Sequence, residues 1–228
     1  MPENQNTIAS EFTISGVGLH TGNSTRVTFR PAPEDFGAKF VRTDLRDRPV
    51  IPALCHNVVG VIRGTTLGID SKPYVYTVEH LLAALCALDI DNIEILLDNN
   101  EPPVFDGSAK PFIDYLLKTG IRAQGKPKRY LNLSSPVKYT FNDGKSDVEI
   151  EAVPAQNLSI DYFIDYNHPL VGRQRIKVPI NAGVFEKEIS RSRTFCFDFE
   201  VESLKTKGLA KGGNLANTIV VGIDRIYN

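Results

Sequence analysis

The sequence predicts an α+β fold arranged as two domains of one architecture. Three observations carry that reading. Short alternating segments bounded by glycine and proline mark strands. The run Tyr76 to Asp89, Y-T-V-E-H-L-L-A-A-L-C-A-L-D, marks a buried helix. The polar stretch Ala123 to Arg129, A-Q-G-K-P-K-R, then breaks the pattern, and a second series of strands followed by helices begins. The expected domains are residues 1–125 and 130–228.

In order, Thr7 to Ser15 alternates as a strand and runs into the glycine-rich turn S-G-V-G-L-H-T-G, which holds His20 and has the form of a hairpin. Ser24 to Arg30 and Ala38 to Arg42 are alternating strands separated by a turn over Pro31 to Gly37. Ile51 to Ile62 and Thr65 to Ile69 are shorter strand candidates. In the central helix, Thr77 is the expected N-cap, because its hydroxyl can accept from a free backbone N–H of the first turn. Leu81, Leu85 and Leu88 form one ridge, and the alanines leave the other side thin enough for close packing. Asn92 to Leu97 is a buried strand, and Ser108 is the expected N-cap of a helix through Lys118. Beyond the polar stretch, Tyr130 to Leu133, Val137 to Phe141, Asp147 to Val153, Leu158 to Asp165 and Gln174 to Val178 are the expected strands. Helices are expected over Ala182 to Ile189 and Asp198 to Lys207, with a last strand over Thr218 to Val221.

Composition excludes several classes of function. A net charge of -1 on 228 residues, with no basic run, argues against nucleic-acid binding. No apolar stretch reaches the length of a membrane span, and M-P-E-N-Q-N-T lacks the basic and apolar regions of a signal peptide. Cys55, Cys86 and Cys196 form no C-x-x-C pair, and Cys86 falls in the expected buried helix. An odd, scattered set suits a reducing compartment, so a cytoplasmic location is expected.

Chemistry concentrates at the start of the central helix. A helix apolar all round lies in the interior, so Glu79 and His80 sit at the mouth of a core. A helix N-terminus favours an anion and keeps imidazole neutral, the form that binds metal. Neutral imidazole beside a carboxylate suits metal-assisted hydrolysis, although the pair alone also fits a capping carboxylate and a core histidine. The order is the reverse of H-E-x-x-H, so that zinc signature does not apply. In the second half, D-Y-N-H-P places His168 in a turn, and G-L-A-K-G-G-N lacks the spacing of a triphosphate-binding loop.

The motifs S-G-V-G-L-H-T-G, T-V-E-H-L-L-A-A-L, D-G-S-A-x-P-F, D-x-N-H-P, S-R-x-R-T-F, G-L-x-x-G-G and I-V-V-G-x-D-R-x-x-N occur in that order. Together they resemble the bacterial UDP-3-O-acyl-N-acetylglucosamine deacetylases, zinc amidases of lipid A biosynthesis, from about Thr7 to Asn228. The resemblance implies a pair of similar β-α-α-β domains packed face to face with the site between them. It also implies hydrolysis of the substrate's N-acetyl group with Zn2+. Glu79 then corresponds to the general base, His80 to a zinc ligand, and Thr194 to the hydroxyl that steadies the oxyanion. Phe195 corresponds to the aromatic that meets the sugar and nucleotide. Val201, Ala210, Leu215, Thr218 and Val220 fall where the family's acyl passage is lined. The family continues past the position of Asn228 into a helix carrying H-K-x-x-D-x-x-G-D, which completes the zinc site. The expectation is therefore a truncated member, its second domain incomplete at the C-terminus, weak or inactive alone. Two other readings stay open: a non-catalytic module binding the UDP-sugar or acyl chain, and a portion of a deacetylase–dehydratase fusion.

Overall fold

The computed structural model describes residues 3–228 except 71, 143 and 145, and at Pro73 the backbone alone. Residues 1 and 2 of the expected first domain thus lie outside the described residues.

The first half runs β1 (Asn4–Ile8), β2 (Phe12–Val17), β3 (Ser24–Pro31), β4 (Ala38–Arg42) and β5 (Val50–Pro52). A 3-10 turn (Cys55–Asn57), β6 (Val58–Gly60), β7 (Thr66–Ile69) and β8 (Lys72–Val75) follow, then α1 (Glu79–Ala87), β9 (Ile93–Leu97), α2 (Lys110–Thr119) and β10 (Ile121–Pro127). The main sheet has the order β2-β3-β9-β4-β5; β4 and β9 run parallel, and the other neighbours are antiparallel. Central position buries β9, with Ile93, Ile95 and Leu97 fully buried and Leu96 nearly so. α1 and α2 lay Leu81, Ala84, Leu85, Phe112, Ile113 and Leu116 into the same core. Each of the leucine, isoleucine and phenylalanine side chains stabilises the fold by about 1.5–3 kcal/mol on burial. The mixed strands and helices are the expected α+β class.

The second half runs β11 (Val137–Asn142), β12 (Asp147–Ala152), β13 (Ser159–Asp165) and β14 (Arg173–Pro179). Then come α3 (Ala182–Val184), continued as a π turn over Phe185–Ile189, β15 (Phe195–Phe197), a 3-10 turn (Asp198–Glu200), α4 (Val201–Thr206) and β16 (Ile219–Val221). β11–β12 and β13–β14 are antiparallel pairs, and β15 and β16 pair in parallel. Phe185 joins the core built by the first half.

Several expectations are corrected. Thr7 to Ser15 is two strands in different sheets: β1 pairs with β10, and β2 with β3. Ile51 to Ile62 is split by the 3-10 turn. Tyr130 to Leu133 is not a strand, and β8 and β15 were not expected. The polar stretch Ala123 to Arg129, read as free of regular structure, belongs largely to β10, which runs to Pro127 because its backbone pairs with β1. Cys86 is exposed rather than buried, because a helix laid on one sheet leaves its outer side uncovered. Thr77 does not cap α1; Val78 holds the N-cap position, and the Thr77 hydroxyl donates to Glu101 instead. Ala109, not Ser108, is the N-cap of α2, although Ser108 Oγ accepts from the Lys110 N–H at 3.2 Å.

Candidate active site at the start of the central helix

Glu79 and His80 are the first two residues of α1 and both are partly buried. Glu79 Oε2 accepts from the Thr65 N–H at 2.9 Å, and the Val78 N–H donates to the Thr65 carbonyl at 3.3 Å. The helix start is thereby tied to the loop before β7. Burial pushes the His80 imidazole below its ordinary value, while the Glu79 and Asp106 charges pull it partly back. A neutral ring follows, with a lone pair free for a Lewis acid.

Asp106 opens the D-G-S turn that precedes α2. Its Oδ1 accepts from the Ser108 N–H and hydroxyl at 3.1 and 2.8 Å. Gly107 has φ +86°, and a Cβ there would lie 1.8 Å from the Asn217 carbonyl oxygen. No other residue fits that approach. The Gly107 carbonyl in turn accepts from the Thr194 N–H at 2.9 Å, and Arg193 Nε donates to the Asp106 carbonyl at 2.7 Å. The chain therefore brings His80, Asp106 and Thr194 into one region, although they come from both halves. Phe195 follows at the start of β15, partly exposed, with its ring edge-on to Tyr166 and Phe197.

Beside this region lies a cavity of about 490 Å3 lined by His20, Val59, Gly60, Ile62, Gly64, Thr66, Tyr76, Thr77, Lys207 and Leu209. Glu79 borders it: a Cβ added to Gly64 would stand 3.3 Å from Glu79 Oε1. His20 bridges the walls. Its Nε2 is 2.9 Å from the Arg63 carbonyl, which can only accept, so Nε2 carries the proton. Nδ1 is then free to accept from the Ala210 N–H at 3.4 Å. Arg63 also pairs with Glu200, a second tie across the same gap.

Of the residues expected along an acyl passage, none lines this cavity. Val201 opens α4, Ala210 sits at φ +53° in the glycine loop, Leu215 is half exposed, Thr218 hydrogen-bonds to Asn217, and Val220 pairs with Cys196 in β16. Lys207 and Leu209 of the adjoining loop line it instead. Sequence reasoning passed over His20, Tyr76 and the β6–β7 residues; the glycines around His20 were their one visible signal.

Among the described residues no three His, Cys, Asp or Glu side chains converge as a metal cage. His80 suits a zinc ligand, but a catalytic zinc takes three protein ligands. The described residues do not complete such a site.

The chain matches the UDP-3-O-acyl N-acetylglycosamine deacetylase family over residues 5–228. It is 43% identical over 217 residues to a bifunctional LpxC/FabZ enzyme of Chlorobaculum tepidum, covering 95% of this chain and 46% of that protein. It is 43% identical over 224 residues to a UDP-3-O-acyl-N-acetylglucosamine deacetylase of Syntrophotalea carbinolica, covering 98% of this chain and 71% of the relative. With the deacetylase of Myxococcus xanthus the identity is 44% over 226 residues, covering 99% and 70%. The chain thus spans about half the length of the bifunctional relative and about seven tenths of the other two. With the helix-borne Glu79–His80 pair and an α+β fold already in place, the match over residues 5–228 settles the relationship: this chain belongs to the UDP-3-O-acyl N-acetylglycosamine deacetylase family, a family of hydrolases.

Proposed function

We propose that the chain carries the base and one metal ligand of a zinc-dependent deacetylase. Its reaction removes the N-acetyl group of UDP-3-O-acyl-N-acetylglucosamine, releasing acetate, in the cytoplasmic synthesis of lipid A. The observation that carries the proposal is the pairing of Glu79 with a neutral-leaning His80 at the buried start of α1, with Thr194 held nearby through Gly107. Among the described residues no helix is long and apolar enough to cross a membrane.

In this reading Glu79 takes a proton from the attacking water, its carboxylate aimed by the Thr65 N–H. The Thr194 hydroxyl donates to the oxyanion as negative charge develops on the acetyl oxygen. His80 supplies one of the zinc ligands, and bound zinc would polarise the acetyl carbonyl. Phe195 offers a ring face to the uracil or sugar. Val201, Ala210, Leu215, Thr218 and Val220 belong to the acyl-chain region of the second half.

The proposal includes a division into two domains, residues 1–125 and 130–228. The strand pair β1–β10 supports it by closing the first unit on itself. Among the described residues the hairpins of the second unit leave their apolar faces uncovered.

Glu79→Gln is the decisive variant. In a protein that also supplies the remaining zinc ligands, deacetylation should fall about 10²–10⁴-fold while zinc binding persists. Loss of zinc binding on His80→Ala in the same protein completes the expected pattern. Unchanged turnover in Glu79→Gln would remove the general base and with it the proposal.

A further inference from the structure

Glu101 is fully buried, yet all its partners are donors on two segments flanking the cavity. Its Oε1 accepts from the Thr77 hydroxyl at 2.7 Å and the His20 N–H at 3.0 Å. Its Oε2 accepts from the Thr21 N–H at 2.8 Å, the Thr21 hydroxyl at 2.7 Å and the His20 N–H at 3.2 Å. None of these partners is a cation. The fit is close: a Cβ on Gly18 would stand 2.4 Å from Oε2. Removing a carboxylate from water is costly, and an apolar side chain of this size packs a core better. What the carboxylate does that an apolar group cannot is fix donors in place.

One of those donors is strained. Thr77 has φ +53°, a left-handed conformation that a β-branched residue rarely adopts. Such strain persists where the surroundings over-determine it, and it clusters at functional sites. The turn at Thr77 redirects the chain from β8 into α1. Its consequence is the next link: the Val78 N–H meets the Thr65 carbonyl, and Glu79 Oε2 meets the Thr65 N–H.

We propose that Glu101 is a positioning residue: by holding Thr77 in its left-handed turn and the His20–Thr21 backbone beside it, it aims Glu79 and fixes both walls of the cavity. The catalytic consequence rests on the deacetylase reading; the positioning does not.

Amide hydrogen exchange on the 228-residue chain, without zinc or substrate, tests it. In Glu101→Gln, whose amide group sets a donor against donors, exchange at Thr65 and Val78 should quicken about tenfold or more. The β3–β9 ladder should keep its protection. Adding Thr77→Gly, which takes the positive φ unaided, should restore Thr65 and Val78 but not His20 and Thr21. Unchanged exchange at Thr65 in Glu101→Gln, or no rescue by Thr77→Gly, would overturn the proposal. Should Glu101→Gln fail to fold, Thr77→Ala removes the one hydroxyl and must quicken Thr65 in the same way; protection kept there also overturns it. Where the wild type turns over, Glu101→Gln should lower kcat about tenfold and leave KM within about twofold, as misplacement of a base requires. Exchange is read without turnover, so an overturned positioning role and a failed deacetylase reading are told apart.

Discussion

Strands β3 and β11 both alternate apolar and polar residues, yet Val27 and Phe29 of the first are at most 1% exposed, while Val137, Tyr139 and Phe141 of the second are 51–60% exposed. In β11–β12, Tyr139 lies opposite Ile150 and Phe141 opposite Val148, so the hairpin gathers one apolar face. Nothing among the described residues buries that face. In β13–β14, Tyr162 lies opposite Ile176, both well exposed. The difference teaches that alternation selects which side chains share a face but does not supply the layer that covers them. Burial in the first half comes from α1 and α2 closing over the sheet. An isolated two-stranded hairpin, by contrast, is marginal in water.

Matched truncations should give the largest contrast. Phe29→Ala should destabilise the chain by about 3–5 kcal/mol in denaturant unfolding, whereas Phe141→Ala should change stability by less than about 0.5 kcal/mol. A cost at Phe141 approaching that at Phe29 would show a covering layer and erase the comparison. Next in size is a buried polar hub. The side-chain amide of Asn92 donates to Gln5 Oε1 and Gln124 Oε1, both at 2.8 Å, and its oxygen accepts from the Gly37 N–H at 2.9 Å. Asn92→Leu strands these groups and should cost about 2–3 kcal/mol. Breaking the exposed Asp161–Arg175 pair should leave the melting temperature unmoved.

Acid provides the smallest and most local contrast. Burial lowers the His80 value below 6.5. Between that lowered value and about 6.5 the unfolded chain therefore binds more protons than the folded one. Stability should fall as pH drops below about 6.5 and level off below the folded value, with no pH dependence from His80 above about 6.5. His80→Gln should flatten that part of the pH–stability curve, and exchange in β11–β14 should not follow it.

The parts of the fold visible in sequence were those with their own period. β3, β4, β9, α1 and α2 all announce a buried face within a few residues. β10 did not, because six of its seven residues are exposed and it is held by backbone pairing with β1. β8 was hidden by its brevity and by Pro73. The site divides in the same way. Glu79 and His80 were legible because a charged pair opens an apolar helix. Glu101 and Asp106 were not, because their partners are set by tertiary contact: Thr77 lies 24 residues from Glu101. The Thr77 hydroxyl, read as a local cap, is claimed by that distant carboxylate.

The pairing of Asn4 with Pro127 gives the first half a chronology. A ribosome releases β1 well before β10, its ladder partner among the described residues. Until β10 emerges, β1 has only its bridge to Asn92, and the edge that β10 will cover is the kind of template that recruits other nascent chains. Asn4, Gln5 and Asn6 open that strand, and polar amides there are poor nuclei for apolar self-association. The β1–β10 sheet can close only once Ile121–Pro127 has cleared the exit tunnel.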